Sequence, residues 1–104
     1  MSELGQVTTQ FQRIATPDAP FVFRCGASLD HVEIAFESYG TLNENASNAI
    51  LLFHAFSGSQ HAAGHNPGVE GNEFWTQECV AGWWEPFIGP GKALDTDQYF
   101  VLCA

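Results

Sequence analysis

Two unbroken apolar runs, AILLF at residues 49 to 53 and YFVLCA at 99 to 104, constrain this chain more than any other feature. Each has strand length, and an apolar run with no polar alternation suits a strand covered on both faces, as in the sheets of α/β proteins. Natural domains rarely end on a bare apolar strand, so the expectation is the front portion of a longer α/β protein, cut in the middle of its sheet. The polar cluster NENASN at 43 to 48 is a turn that feeds the first run.

The remaining segments fill in around these runs. Residues 1 to 20 are polar and end in TPDAP, which reads as an extended or loosely held arm before a domain of residues 21 to 104. FVFR at 21 to 24 is a short strand candidate, with CGAS as a turn after it. In DHVEIAFESYG the alternation places Val32, Ile34 and Phe36 on one face and Glu33, Ala35 and Glu37 on the other, the pattern of a half-buried strand, and the two segments are expected to form a hairpin. Residues 57 to 82 are rich in Gly, Ser, His and Asn and read as loop, with a short helix around Phe74 to Val80. GWWEPFIGPGKALDTD permits a helical turn or two, because Pro86, Gly89, Pro90 and Gly91 interrupt anything longer.

Charge and cysteine usage exclude several classes of function. The net charge is -9, and the three basic residues, Arg13, Arg24 and Lys92, are too scattered to make a stripe for phosphates, so nucleic acid is not an expected partner. Cys25, Cys79 and Cys103 are odd in number and widely spaced, which signals neither a disulfide framework nor a zinc ribbon and fits a reducing compartment. No signal pattern opens the chain and no apolar run approaches the ~20 residues of a membrane span, so the expectation is a soluble, cytoplasmic protein. Charged residues make up only 14 %, which points to surface that meets other protein.

The chemistry-bearing motifs fail one by one, with one exception. Ser57 and Ser59 lack the glycines of a GxSxG nucleophile elbow, so no Ser, His and acid set can be assembled from this chain. His61 and His65 are four apart with Glu70 and Glu73 nearby, but HEXXH is absent and Gly64 weakens a helix, so no metal site is assigned. His54, just past an apolar strand, reads as a hydrogen-bonded structural histidine. GPGKA at 89 to 93 lacks both the first glycine and the Ser or Thr of a phosphate-binding loop, which rejects ATP, and Trp83 and Trp84 read as core anchors. The exception is HAFSG at 54 to 58. An apolar strand followed by a tight loop of small residues suits a backbone donor aimed at an oxyanion, where side-chain identity is free to vary.

FESYGTLN (36 to 43), SNAILLFHAFSGSQHAAG (47 to 64) and GWWEPFIGPGKALDTDQYFVLCA (82 to 104) resemble, in order and spacing, the amino-terminal part of the homoserine O-acetyltransferase family, with a match running from about Phe21 to the last residue. The resemblance implies an α/β class, namely the amino-terminal part of an α/β-hydrolase fold with an incomplete mixed sheet of about four strands. In that strand order YFVLCA lies between the second and third strands and AILLF is left to pair with the nucleophile strand. The implied activity is transfer of an acetyl group from acetyl-CoA to the hydroxyl of L-homoserine, in methionine biosynthesis. It proceeds by a serine ping-pong mechanism in a homodimer, with acetyl-CoA as co-substrate and no other cofactor.

Matching HAFSG to the family's loop places an oxyanion-hole amide at Phe56, where the family more often shows Leu, followed by Thr in place of Ser57. The family's nucleophile, Asp and His fall beyond residue 104, so these 104 residues alone are expected to be inactive. Substrate-binding residues are not assigned. Related homoserine or serine O-succinyltransferases, an esterase of the same fold, and a non-catalytic binding module remain as alternatives.

Overall fold

The computed structural model describes residues 4 to 104. Its centre is a four-stranded mixed sheet in the order β1-β4-β8-β5. The strands are β1 (Gln10–Ala15), β4 (Val32–Tyr39), β5 (Ala49–Leu52) and β8 (Phe100–Cys103). β4 runs antiparallel to β1 and to β8, whereas β5 and β8 are parallel, with Ile50 opposite Val101 and Leu52 opposite Cys103. The last apolar run therefore lies between the strands that precede it, as the implied strand order requires. Two small ribbons flank the sheet: β2 (Phe21–Val22) with β3 (Ser28–Leu29), and β6 (Ile88–Gly89) with β7 (Leu94–Asp95). Helix among the described residues amounts to two single-turn 3-10 segments, Gln77–Cys79 and Glu85–Phe87, and no helix is long and apolar enough to cross a membrane.

Several expectations change. Within the segment read as an extended or loosely held arm, Gln10–Ala15 is extended and not loose: it is hydrogen-bonded to β4 as an edge strand, since backbone pairing at an edge needs no apolar pattern. FVFR does not form a hairpin with β4; Phe21 and Val22 pair instead with Leu29 and Ser28 across a turn at Gly26, and β4 is occupied by β1 and β8. The alternation of β4 is present, but its buried face is the one carrying Glu37 and Tyr39. Ile34, with Phe36, lines an open apolar groove with Ile14 and Leu102.

One face of the sheet is consequently packed and the other is not. On the packed face, Tyr39, Val101 and Cys103 meet Ala62, Ala63 and Ile88, with Leu4, Val7, Ile50, Leu52 and Leu94 at the margin. On the other, Leu51 and Phe53 are exposed, so AILLF is covered on one face only among the described residues. Two glycines set the close approaches. Gly40 ends β4 with φ of 88° against the carbonyl of Tyr99, a conformation and a distance that a side chain would not tolerate. Gly82 lies directly on the Ala62–Ala63 backbone.

Candidate active-site loop

β5 ends at Leu52, and the chain turns at Ala55–Gly58, where the Gly58 N–H donates to the Ala55 carbonyl at 2.8 Å. A turn closed in this way leaves the N–H groups of its two central residues, Phe56 and Ser57, unused by the turn itself. Among the described residues neither amide has a hydrogen-bond partner. The Phe56 side chain is fully exposed and makes no part of the core. His54 Nδ1 donates to the Ala55 carbonyl at 2.7 Å, a structural histidine at the turn's entry.

Beyond the turn, residues 59 to 66 are bound to β4 by a buried polar cluster that the sequence did not reveal. Glu37 is fully buried and accepts four hydrogen bonds. Tyr39 Oη and His61 Nδ1 donate to Oε1, both at 2.8 Å, while Thr9 Oγ1 at 2.8 Å and Asn66 Nδ2 at 3.0 Å donate to Oε2. His61 Nε2 lies 2.7 Å from the Val80 carbonyl. Both partners of the ring are acceptors, so both nitrogens must donate, and His61 is an imidazolium paired with a carboxylate. Burial disfavours the charged ring, but the hydrogen bonds to Glu37 and Val80 and the Glu37 charge outweigh it and hold the His61 pKa above its ordinary value. Burial likewise works against ionised Glu37, yet the hydrogen bonds from His61, Asn66, Thr9 and Tyr39 keep its carboxyl below the usual range. Burial and the neighbouring carboxylate push the Tyr39 phenol up, so it remains a neutral donor.

Tyr39 Oη also accepts the N–H groups of Ala62 and Ala63, at 2.9 and 3.2 Å. The carbonyls of His61, Ala62 and Gly64 in turn accept the N–H groups of Trp83, Trp84 and Gly82. This backbone docking is possible because residue 82 has no side chain. No buried side-chain nitrogen or oxygen among the described residues is left unpaired.

A cleft of about 320 Å³ opens beside the turn, lined by Ser57, Ser59, His61, Phe74, Trp75 and Trp83 among others. Trp83 and Trp84 are about two-fifths exposed, not core anchors as expected; Trp83 walls the cleft and donates from Nε1 to the Ser59 carbonyl at 2.8 Å. His61 and His65 do not converge: His61 is committed to Glu37, whereas His65 is exposed and engaged through its backbone with Gly5 and Val7. Lys92 pairs with Glu85 at 3.0 Å. Burial is the missed signal throughout. Glu37 and Tyr39, two apart on one strand face, gave only a hint of a shared environment.

No family model matches the chain. Individual relatives do. It is 48 % identical over 97 % of its length to a homoserine O-acetyltransferase of Methanosphaerula palustris, of which it covers 18 %. It is 45 % identical over 97 % of its length to a homoserine O-succinyltransferase of a Nocardioides species, covering 25 % of that protein. Among solved structures, a homoserine O-acetyltransferase from Bacillus anthracis superposes with a TM-score of 0.70 at 37 % identity, over 99 % of this chain and 23 % of that one. Esterase E22 superposes with a TM-score of 0.71 at 35 % identity, over 93 % of this chain and 23 % of that one. The chain thus spans a quarter or less of the length of these proteins.

Proposed function

We propose, from its likeness to homoserine O-acetyl- and O-succinyltransferases, that this chain supplies part of the oxyanion hole of an acyltransferase of that family. The described sheet is the first part of an α/β-hydrolase domain, and the attacking serine and its His and Asp partners come from polypeptide outside residues 1 to 104. The reaction is acyl transfer from acetyl-CoA to the hydroxyl of L-homoserine in a homodimeric enzyme. In each half, attack on a carbonyl builds negative charge on its oxygen. An amide already oriented toward that oxygen stabilises the charge without reorganising. The observation that carries this reading is the pair of N–H groups at Phe56 and Ser57, without partners among the described residues, on a turn past the carboxyl end of β5 and beside the cleft. A backbone role also explains why Phe can occupy a position with a fully exposed side chain.

The test is turnover by the polypeptide that carries residues 1 to 104, with L-homoserine and either acetyl-CoA or succinyl-CoA, followed as CoA release and O-acylhomoserine formation. The expected result is faster transfer from acetyl-CoA. Preference for succinyl-CoA would replace the donor and keep the mechanism. Likeness to esterase E22 favours a second reading, ester hydrolysis by the same oxyanion hole. Hydrolysis of a simple ester with no transfer to homoserine would establish it.

A further inference from the structure

Among the described residues nothing packs over the Phe56 side chain to hold the turn that carries its amide, so the direction of the Phe56 and Ser57 N–H groups depends on how the turn's two ends are fastened. Upstream the fastening is β5 in the sheet. Downstream, His61 N–H donates to Ser59 Oγ at 3.2 Å, Trp83 holds the Ser59 carbonyl, and Tyr39 Oη gathers the amides of Ala62 and Ala63. From Gly58 to His61 is only three residue steps, at most about 10 Å of extended chain. So short a connection has no slack to absorb a shift of the downstream anchor.

We infer that Glu37, Tyr39 and His61 are positioning residues that act through Ser59–Ala63 to fix the orientation of the Phe56 and Ser57 amides. Burying a carboxylate–imidazolium pair carries a desolvation cost that an apolar set of the same volume would avoid. A hydrogen-bonded set specifies direction where apolar packing does not. Here the bonds from His61 and Asn66 to Glu37, and from the Ala62 and Ala63 amides to Tyr39, cross from the loop to β4, while Thr9 ties the amino-terminal segment to the same carboxylate. The catalytic consequence rests on the acyltransferase reading; the geometric one does not.

The experiment is Tyr39→Phe in the polypeptide that carries residues 1 to 104, a change that deletes one oxygen and keeps the ring. With the acyltransferase active, kcat is expected to fall about tenfold to a hundredfold, the scale of small misplacements near reacting atoms, while KM for homoserine and for acyl-CoA stays within about twofold. Amide resonances of Phe56 and Ser57 should move together with those of Ala62 and Ala63, and those of Ile50–Leu52 should not. An unchanged kcat with displaced Ala62 and Ala63 resonances overturns the inference.

A wild-type protein inert toward homoserine refutes the acyltransferase reading alone. The amide spectra then decide, and unmoved Phe56 and Ser57 resonances sink the positioning claim. Should the variant fail to fold, the wild type serves. His61 faces Glu37 and Tyr39 from β4, with Glu78 and Cys79 lining the same cleft. Phe56 and Ser57 resonances must follow the His61 ring titration, and a flat response overturns the inference.

Discussion

Replacing Glu37 by Gln keeps the shape of the side chain and removes the charge on which four donors converge. Gln offers one carbonyl oxygen, so two of the donors from Tyr39, His61, Thr9 and Asn66 would face an NH₂ group instead of an acceptor. His61 loses its counter-ion in a site where both residues are almost completely buried. Removing one partner of a buried ion pair typically costs about 3–5 kcal/mol, because the other is left uncompensated. The expected loss is therefore about 3 kcal/mol or more in equilibrium urea unfolding near pH 6. Glu33→Gln, at an exposed position of the same strand, should stay within about 0.5 kcal/mol.

The pH dependence sharpens the test. The folded His61 pKa is raised, so its stabilisation is complete below its ordinary 6.5 and is lost as pH rises through the folded value. The folded Glu37 pKa is lowered, so its stabilisation is complete above its ordinary 4.5 and is lost as pH falls through the folded value. The difference between wild type and Glu37→Gln should peak between pH 4.5 and 6.5 and shrink on both sides. A difference below about 1 kcal/mol, or one flat from pH 4 to 9, would refute the claim that this pair is ionised and structurally required.

Gly82→Ala should destabilise by about 1–3 kcal/mol in the same assay, since the added carbon meets the Ala62–Ala63 backbone; no measurable loss would show that the docking of 82–84 on 61–64 is looser than described. In titration with a thiol reagent at pH 8, Cys103 should react far more slowly than Cys25 and Cys79, because burial and the Glu37 charge push its thiol up to about 11. Cys79, held down by hydrogen bonds to Thr76, should react fastest, and equal rates for all three thiols would contradict the packing of β8.

Strand β4 was legible from its alternation and β5 and β8 from their apolar runs, signals the residues themselves carry, and the order β4-β8-β5 followed from the family resemblance. β1 was not legible: QFQRIA splits into no apolar face and is held by backbone hydrogen bonds at an edge. The face of β4 was misassigned because Glu37 reads as a solvated charge in any alternation pattern. Its burial depends on donors from residues 9, 39, 61 and 66, brought together only by the fold. The HAFSG turn could be placed at the end of its strand from small residues alone. What holds that turn could not, because the holding groups are a tyrosine and a glutamate that precede it by about twenty residues.

The proposed oxyanion contact needs the Phe56 N–H group, and Phe56→Pro removes it. Proline suits the second position of such a turn, so the loop should persist, while Phe56→Ala trims only an exposed side chain and serves as the control. In the polypeptide bearing residues 1 to 104, kcat for acyl transfer should fall about 10²–10³-fold with Pro and stay within a few-fold with Ala. Equal activity in the two variants would mean that this amide does not meet the developing oxyanion.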